Sequence, residues 1–349
     1  MQLADLETYD YDLPEHLIRK VPLEKRDHAR LFIYDTSKDV LTYDTFANLA
    51  KYLPAHSLMV LNDTQVLPAR LWLRKETGGK IEVLILANQI TVPEEIPLLV
   101  DRKTMPGQKL YFPNGDFLEI KRQAENVFLA RLESTRTMFS LLDKFGTTPI
   151  PHYLEGDVVL EEGMLRKRYQ SVFATKGASI AAPTASLHFT ESVFDSLRAR
   201  EIETSTVTLN VGLGTFAPLR EENFITKTLH TEFVHVREES AEQIFVAKQE
   251  RKPVIAVGTT VTRTLEGLFS TGEYHAYQGA LNTFLFPPYH FQVVDILLTN
   301  FHLPKTSLML LVEAFLQSKG SRQQITKLYQ QAIAEHFSFY SFGDSMLIL

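Results

Sequence analysis

The sequence predicts an α/β protein of two domains: a larger α/β/α, Rossmann-like domain from residues 1–65 and 150–349, interrupted by a smaller antiparallel β-barrel over 66–149. Three observations carry this. The chain is 349 residues long, more than one ordinary domain holds. Residues 67–132 alternate apolar and polar and are punctuated by Gly78-Gly79, Pro106-Gly107 and Asn114-Gly115, the turn chemistry of hairpins. From about Gly177 onward, short apolar runs alternate with helical ones, the grammar of a mostly parallel sheet with helices on its faces.

Within the barrel segment, Leu71 and Leu73 face Ile81, Val83 and Ile85 across the Gly78-Gly79 turn, and Lys75, Glu76 and Lys80 mark the solvated end. Short strands at this spacing close into a barrel or sandwich. A helix follows, from Ser134 or Thr135 as N-cap to Lys144, with Gly146 as a left-handed terminator. In the larger domain Thr190 caps a helix whose buried stripe is Val193, Phe194 and Leu197. Val207, Leu209 and Val211 alternate as a strand, and 253–257 form another, followed by Gly258-Thr259-Thr260 and a helix through Phe269. A third strand covers 293–298, and Pro304 precedes a helix over 307–318 that Gly320 ends.

With 44% hydrophobic and 22% charged residues, the composition excludes collagen, wholesale disorder and a membrane bundle. The chain has no cysteine, which removes disulfide frameworks, thiolate metal sites and cysteine nucleophiles. Its net charge of −6 argues against non-specific coating of nucleic acid and leaves room for a local basic face. Residues 1–15 are acidic rather than signal-like, and the most apolar late stretch is broken by Asn300, His302, Pro304 and Lys305. A cytoplasmic protein with no membrane partner is therefore expected. His230-Thr231-Glu232 has the H-x-E form of zinc deaminases but lacks their cysteine ligands, and neither H-E-x-x-H nor G-x-S-x-G occurs. No metal is expected.

Polar residues concentrate in loops where an α/β sheet puts ligands, at strand carboxyl ends beside helix N-termini. In residues 258–263, backbone N–H groups, Thr259, Thr260 and Arg263 suit a carboxylate or ribose; plain capping by either threonine is the alternative. Residues 298–307 carry Asn300, His302, Lys305 and hydroxyls, against which stands a buried histidine satisfied by a neighbour. Residues 181–190 place small side chains before Ser186 and His188, which admits either a ligand or tight packing. Residues 212–217 match the dinucleotide fingerprint G-x-G-x-x-G/A, but the match falls far from a first βα turn and no clean second strand carries Glu232, so a Gly-rich turn is preferred.

Taken jointly, these segments resemble, in order and wording, the S-adenosylmethionine:tRNA ribosyltransferase-isomerase family. The resemblance runs nearly end to end, through Tyr11-Asp12-Leu13-Pro14, residues 61–71 and 76–80, Arg168-Tyr169-Gln170, residues 181–190 and 211–218, His230-Thr231-Glu232, residues 256–266 and 299–312, and Ser341-Phe342-Gly343-Asp344. The chain departs from the family pattern at Leu229 (usually Met), Ser186 (Gly), Pro288 (Gly), His152 (Pro) and Ser338 (Arg). The resemblance implies an α/β domain with a smaller barrel and a reaction that moves and isomerises the ribosyl part of S-adenosylmethionine. The acceptor is 7-aminomethyl-7-deazaguanine (preQ1) at the wobble position of tRNA, and the products are epoxyqueuosine, adenine and methionine. It also implies a monomer; no obligate protein partner is evident in the sequence.

In such a reaction the sulfonium acidifies C5′, so a base placed there forms an ylide that opens the ribose and expels adenine, and a donor near adenine assists departure. His188, His230, Glu232 and His302 are the titratable residues inside matched motifs, and their individual acid and base roles stay open. His188 and His302, with Asp344, are the expected catalytic groups. Thr184, Thr215, His230, Glu232, Thr259, Thr260, Arg263 and Asn300 are expected around S-adenosylmethionine, with Arg263 at its carboxylate and Glu232 or Asp344 at its ammonium. Asn62, Asp63, Arg70, Arg168, Tyr169, Gln170, Tyr289 and Lys305 are expected on the RNA side, the run Arg166-Lys167-Arg168 at phosphate and the tyrosines at a splayed base. Two other classes compete. A non-catalytic tRNA-binding protein would liberate no adenine, and an oxidoreductase built on the Gly212 turn would need a nicotinamide.

Overall fold

The computed structural model describes residues 1–124, 126–151, 160–212 and 218–349. The chain forms two compact units, one of Met1–Thr64, Ser171–Lys176 and Pro183–Leu349, the other of Gln65–Gln170 and Gly177–Ala182.

The first unit is built on a nine-stranded sheet in the order Tyr277–Thr283, Thr228–Val236, Glu203–Asn210, Leu58–Asn62, Val254–Val257, Ile296–Asn300, Ser345–Ile348, Arg30–Asp35, Val40–Thr45. The four strands from Glu203–Asn210 to Ile296–Asn300 run parallel. The flanks are antiparallel, apart from the parallel pair of Ser345–Ile348 with Arg30–Asp35. The sheet is therefore parallel at its centre and mixed overall, with as many antiparallel as parallel pairings among the described residues, rather than mostly parallel as strand–helix alternation suggests. Antiparallel neighbours need only a tight connection, and the first two strands are joined through 36–39 without a crossover helix.

On one sheet face Leu31, Ile33, Met59, Leu61, Ile255, Val257, Leu298 and Leu347 pack with Phe46, Leu49, Val193 and Leu197 in one core. Residues of the opposite parity, Phe32, Val60, Ala256, Leu297 and Met346, are equally buried on the other face. Burial of both faces explains why these strands read as continuous apolar runs. The helix Glu191–Arg198 begins as expected, with Thr190 Oγ1 accepting from Val193 N at 3.4 Å. The third strand starts later than expected, at Ile296 rather than Val293, because Glu266 Oε1 accepts from both Val293 N and Val294 N at 2.9 Å and takes them out of the ladder.

The second unit contains a closed barrel in the order Val127–Glu133, Ile96–Val100, Lys80–Ile85, Arg70–Lys75, Lys109–Tyr111, Phe117–Ala124. Its hairpin register is the expected one, Leu71 opposite Val83 and Leu73 opposite Ile81. The helix Met138–Phe145 closes the interior with Leu141 and Leu142. That helix is capped by Thr137, not Ser134 or Thr135, because Ser134 Oγ is engaged with Asp116 at 2.7 Å and Arg136 N at 2.9 Å. Gly146 follows it at φ −77°, not in the left-handed region. What excludes a side chain there is steric: a β-carbon would lie 1.8 Å from the Pro68 carbonyl oxygen.

The unit also extends past 149. Glu162 accepts from Thr148 N and Oγ1, both at 2.9 Å, and Arg166 donates to the Gly146 carbonyl at 2.6 Å, fastening the helix Glu162–Arg168 to the end of the barrel helix.

Gly146→Ala is expected to destabilise the protein by about 1–3 kcal/mol or more, since a backbone carbonyl cannot rotate away as a side chain can. Urea unfolding followed by circular dichroism reads this, and an unchanged midpoint would show that the loop relaxes freely.

Candidate functional site

Because the central strands are parallel, their carboxyl ends share one edge of the sheet, the edge where α/β proteins bind ligands. Asn62, Asn210, Val257 and Asn300 end there. Asn300 lies opposite Ser345, so Asp344 enters at the same edge, and Leu31 lies beside Ser345, so Arg30 begins there too.

Asn62 frames this edge. Its Oδ1 accepts from Leu209 N at 3.0 Å and Thr64 N at 3.2 Å, while Nδ2 donates to the Leu209 carbonyl at 3.0 Å and to Thr260 Oγ1 at 3.4 Å. Asp63 Oδ1 accepts from Thr208 Oγ1 at 2.5 Å. Both side chains, expected on the RNA side, are thus buried and tied into the sheet.

Gly258 turns the chain at φ +89°, a left-handed conformation suited to glycine, and is itself the residue before the helix Thr259–Phe269. Neither threonine caps the helix through its side chain. One turn on, Arg263 Nη2 lies 2.6 Å from Glu232 Oε2, with the two side chains 5% and 2% exposed. Glu232 Oε1 also accepts from Gly212 N at 3.4 Å. These residues, expected at opposite ends of the same ligand moiety, neutralise each other instead.

The turn Thr184–His188 lies against the same edge: a β-carbon at Gly258 would sit 3.6 Å from Ala185 Cβ. His188 is buried against Phe46, with ring centroids 5.2 Å apart. One ring nitrogen bonds to the Arg26 backbone, while Nε2 is buried and has no hydrogen-bond partner among the described residues. Nδ1 is therefore the bonded nitrogen, and the Nε2 lone pair is the available one. Burial first, then the Arg19 guanidinium, pushes this imidazole down to about 4. Ser186 Oγ and Asn300 Oδ1 are likewise buried without a hydrogen-bond partner among the described residues, although Asn300 Nδ2 donates to the Tyr340 carbonyl at 3.1 Å.

His302 differs. Its Nε2 lies 3.3 Å from Thr299 Oγ1 and its Nδ1 3.2 Å from Tyr329 Oη, and burial pushes its imidazole down to about 3. Tyr329 Oη also accepts from His302 N at 3.0 Å, and Tyr11 Oη donates to the His302 carbonyl. Asp344 is fully buried and accepts from Arg30 N at 2.9 Å, Ser338 N at 2.8 Å and Arg19 Nη2 at 3.3 Å.

The other expected residues have these surroundings. His230 is exposed on its strand, Thr184 is half-buried, and Thr215 lies outside the described residues, as does His152. Tyr289 Oη donates to Glu266 at 3.1 Å, and Lys305 pairs with Glu7 at 2.9 Å and Asp10 at 2.8 Å. In the barrel unit, Arg70 pairs with Glu82 at 3.1 Å, Gln170 braces the Val66 backbone, Tyr169 is buried, and Arg168 ends its helix half-buried.

Arg19 and Arg26 escaped the sequence reading. They sit among short 3-10 turns without periodicity, far along the chain from His188, and only folding reveals them. Arg26 Nη1 donates to the Leu187 carbonyl at 3.1 Å, and Asp27 accepts from Thr190 Oγ1 at 2.9 Å, so this segment holds the His188 turn. A weak signal existed at Ser338, where the family pattern has arginine: Ser338 Oγ here accepts from Arg19 at 2.7 Å.

A family model described as queuosine biosynthesis protein matches residues 6–348. The chain is 38% identical to the S-adenosylmethionine:tRNA ribosyltransferase-isomerase of Carboxydothermus hydrogenoformans and 39% identical to that of Aquifex aeolicus, covering 99% of both chains in each case. It also resembles the crystal structure of S-adenosylmethionine tRNA ribosyltransferase from Thermotoga maritima, with a TM-score of 0.55, 26% identity, and coverage of 98% of this chain and 99% of that one.

Both buried imidazoles titrate below the ordinary value of about 6.5, so they bind protons more readily once unfolded. Their stabilisation is complete above pH 6.5 and declines as pH falls from there towards the folded values near 4 and 3. Together they are expected to cost about 3 kcal/mol of unfolding free energy between pH 6.5 and 5. Urea titrations across this range should show the slope in the wild type and about half of it in His188→Gln or His302→Gln. Equal slopes in all three would contradict the assignment.

Proposed function

The chain belongs to the family of queuosine biosynthesis proteins, and from that premise we propose how its sheet edge serves as the reaction centre of an S-adenosylmethionine:tRNA ribosyltransferase-isomerase. The enzyme transfers and isomerises the ribosyl moiety of S-adenosylmethionine onto the 7-aminomethyl-7-deazaguanine of tRNA, giving epoxyqueuosine in the tRNA with adenine and methionine as the other products. S-adenosylmethionine is consumed as a sugar donor.

The observation that carries the assignment of roles is the buried, neutral His188 with one nitrogen fixed by a backbone carbonyl and the other unpartnered. In this reading Nε2 takes the proton from C5′, and the electron pair stays on carbon beside the sulfonium. That pair then forms a C4′–C5′ double bond as the C4′–O4′ bond breaks and opens the ribose, the O4′ electrons form a carbonyl at C1′, and adenine leaves with the glycosidic electron pair. The Arg26 carbonyl then stabilises the imidazolium through Nδ1–H, the orienting role that a base partner commonly plays. Asn300 Oδ1 and Ser186 Oγ, buried and unsatisfied without a ligand, suit the hydroxyl and amino groups of a nucleoside.

His302, with both ring nitrogens engaged, is a positioning residue that holds the loop after Asn300. Glu232 with Arg263, and Asn62 with Asp63, brace the edge from within. Thr259 and Thr260 lie at the helix N-terminus, where the dipole favours a partial negative charge such as a ribose oxygen. For the RNA we retain Arg168 and Tyr289 as candidate contacts, whereas Tyr169 is buried and would have to be uncovered to stack on a base. Arg70 and Lys305 would have to leave existing ion pairs to serve.

We also propose that the reaction proceeds without a metal, since proton transfer and departure from a cationic centre are both within reach of side chains. Action as a cytoplasmic monomer without an obligate protein partner belongs to the same proposal. Among the described residues no helix is long and apolar enough to cross a membrane.

Mixing the protein with S-adenosylmethionine and an anticodon stem-loop carrying the aminomethyl base should release one adenine per modified RNA, read by chromatography. His188→Ala should lower the turnover number by roughly 10²–10⁴-fold while leaving S-adenosylmethionine affinity within a few-fold. Undiminished turnover in that variant would remove His188 from the chemistry.

A further inference from the structure

The reaction centre above lacks one thing its substrate demands. S-adenosylmethionine carries an α-carboxylate, and the cation expected to meet it, Arg263, is locked onto Glu232 inside the protein. A buried ion pair of this kind is costly to break, because the partner charge is stranded. Arg263 Nε is buried without a hydrogen-bond partner among the described residues, but the Arg263 charge is already balanced by Glu232, so the carboxylate is better met by a second cation along the same edge.

Arg19 is the cation placed to do so. Its Nη2 donates to Ser338 Oγ at 2.7 Å and to Asp344 Oδ1 at 3.3 Å, which fixes the plane of the guanidinium. Its Nη1 is shielded from solvent and has no hydrogen-bond partner among the described residues. Asp344 spends part of its charge on Arg30 N and Ser338 N, so it anchors Arg19 without saturating it. The Arg19 charge is felt at His188, which places the two groups in one neighbourhood. Along the same edge lie Ser186 Oγ, on the turn that packs against the strand ends, and Asn300 Oδ1, at the end of its strand, both also buried and unsatisfied.

We propose that Arg19, anchored by Asp344, forms a carboxylate subsite beside His188 that takes the α-carboxylate of S-adenosylmethionine. The proposal rests on the reaction assigned above and adds the group that tells this substrate from nucleosides lacking a carboxylate. A guanidinium offers two parallel donors to a carboxylate, and a desolvated N–H left unpaired in the free protein is the arrangement that rewards such a ligand. A bound carboxylate also offsets the positive charge acting on His188, so its basicity rises when substrate is in place.

The test is equilibrium binding, with no RNA present, of S-adenosylmethionine and of its decarboxylated analogue to the full chain. The wild type should prefer the carboxylate-bearing ligand by roughly 10- to 100-fold, the range for a charge-assisted hydrogen bond. Arg19→Met should abolish that preference by weakening S-adenosylmethionine alone. Arg19→Met with Ser338→Arg should restore it, because an arginine at 338 starts within hydrogen-bond reach of the place the Arg19 guanidinium leaves. This double variant separates loss of the subsite from a local folding defect. Equal affinity of the wild type for both ligands, or a preference that survives Arg19→Met, overturns the subsite while leaving adenine release untouched. Failure of the wild type to bind either ligand instead overturns the reaction on which the subsite rests.

Discussion

Parallel pairing of the four central strands is the constraint on which the rest of this protein depends. It forces the ends of Leu58–Asn62, Glu203–Asn210, Val254–Val257 and Ile296–Asn300 to one edge and sends each connection back across a face of the sheet. Polar turns separated by nearly the whole sequence therefore meet. The switch to antiparallel pairing at Ser345–Ile348 extends the edge, bringing Asp344 and Arg30 beside Asn300.

That edge contains two kinds of buried polar group, and their hydrogen bonding distinguishes them. Asn62, Asp63 and Asp344 have hydrogen-bond partners inside the protein, and Glu232 and Arg263 have each other as an ion pair, although Arg263 Nε makes no hydrogen bond among the described residues; removing any one would strand another. They build the frame. His188 Nε2, Ser186 Oγ, Asn300 Oδ1 and Arg19 Nη1 are dry and unpaired among the described residues, a state that folding alone does not favour and a ligand relieves. The functional reading follows from this division more than from residue type: two buried histidines, His188 and His302, fall on opposite sides of it.

Much of the fold was legible because its signals are local. The Gly78-Gly79 turn and flanking alternation gave the hairpin register, and Thr190 and Gly258 marked helix starts. Errors arose where distant groups intervened. Glu266 claims the backbone of Val293 and Val294, Asp116 diverts Ser134 from capping, and the Pro68 carbonyl, not a left-handed turn, dictates Gly146. The candidate site was legible as a set of motifs but not as a set of roles. Spacing cannot tell that Arg263 is spent on Glu232, that Tyr329 occupies His302, or that Arg19 and Arg26 arrive from a segment with no periodic pattern.

The central claim is that turns scattered through the chain close around one nucleoside. Hydrogen–deuterium exchange of the full chain with and without S-adenosylmethionine, RNA absent, tests it most directly. Slowed exchange appearing together in 184–190, 258–263, 299–302 and 338–344 is the predicted result. Protection confined to one of these segments, or lying wholly outside them, would contradict the account.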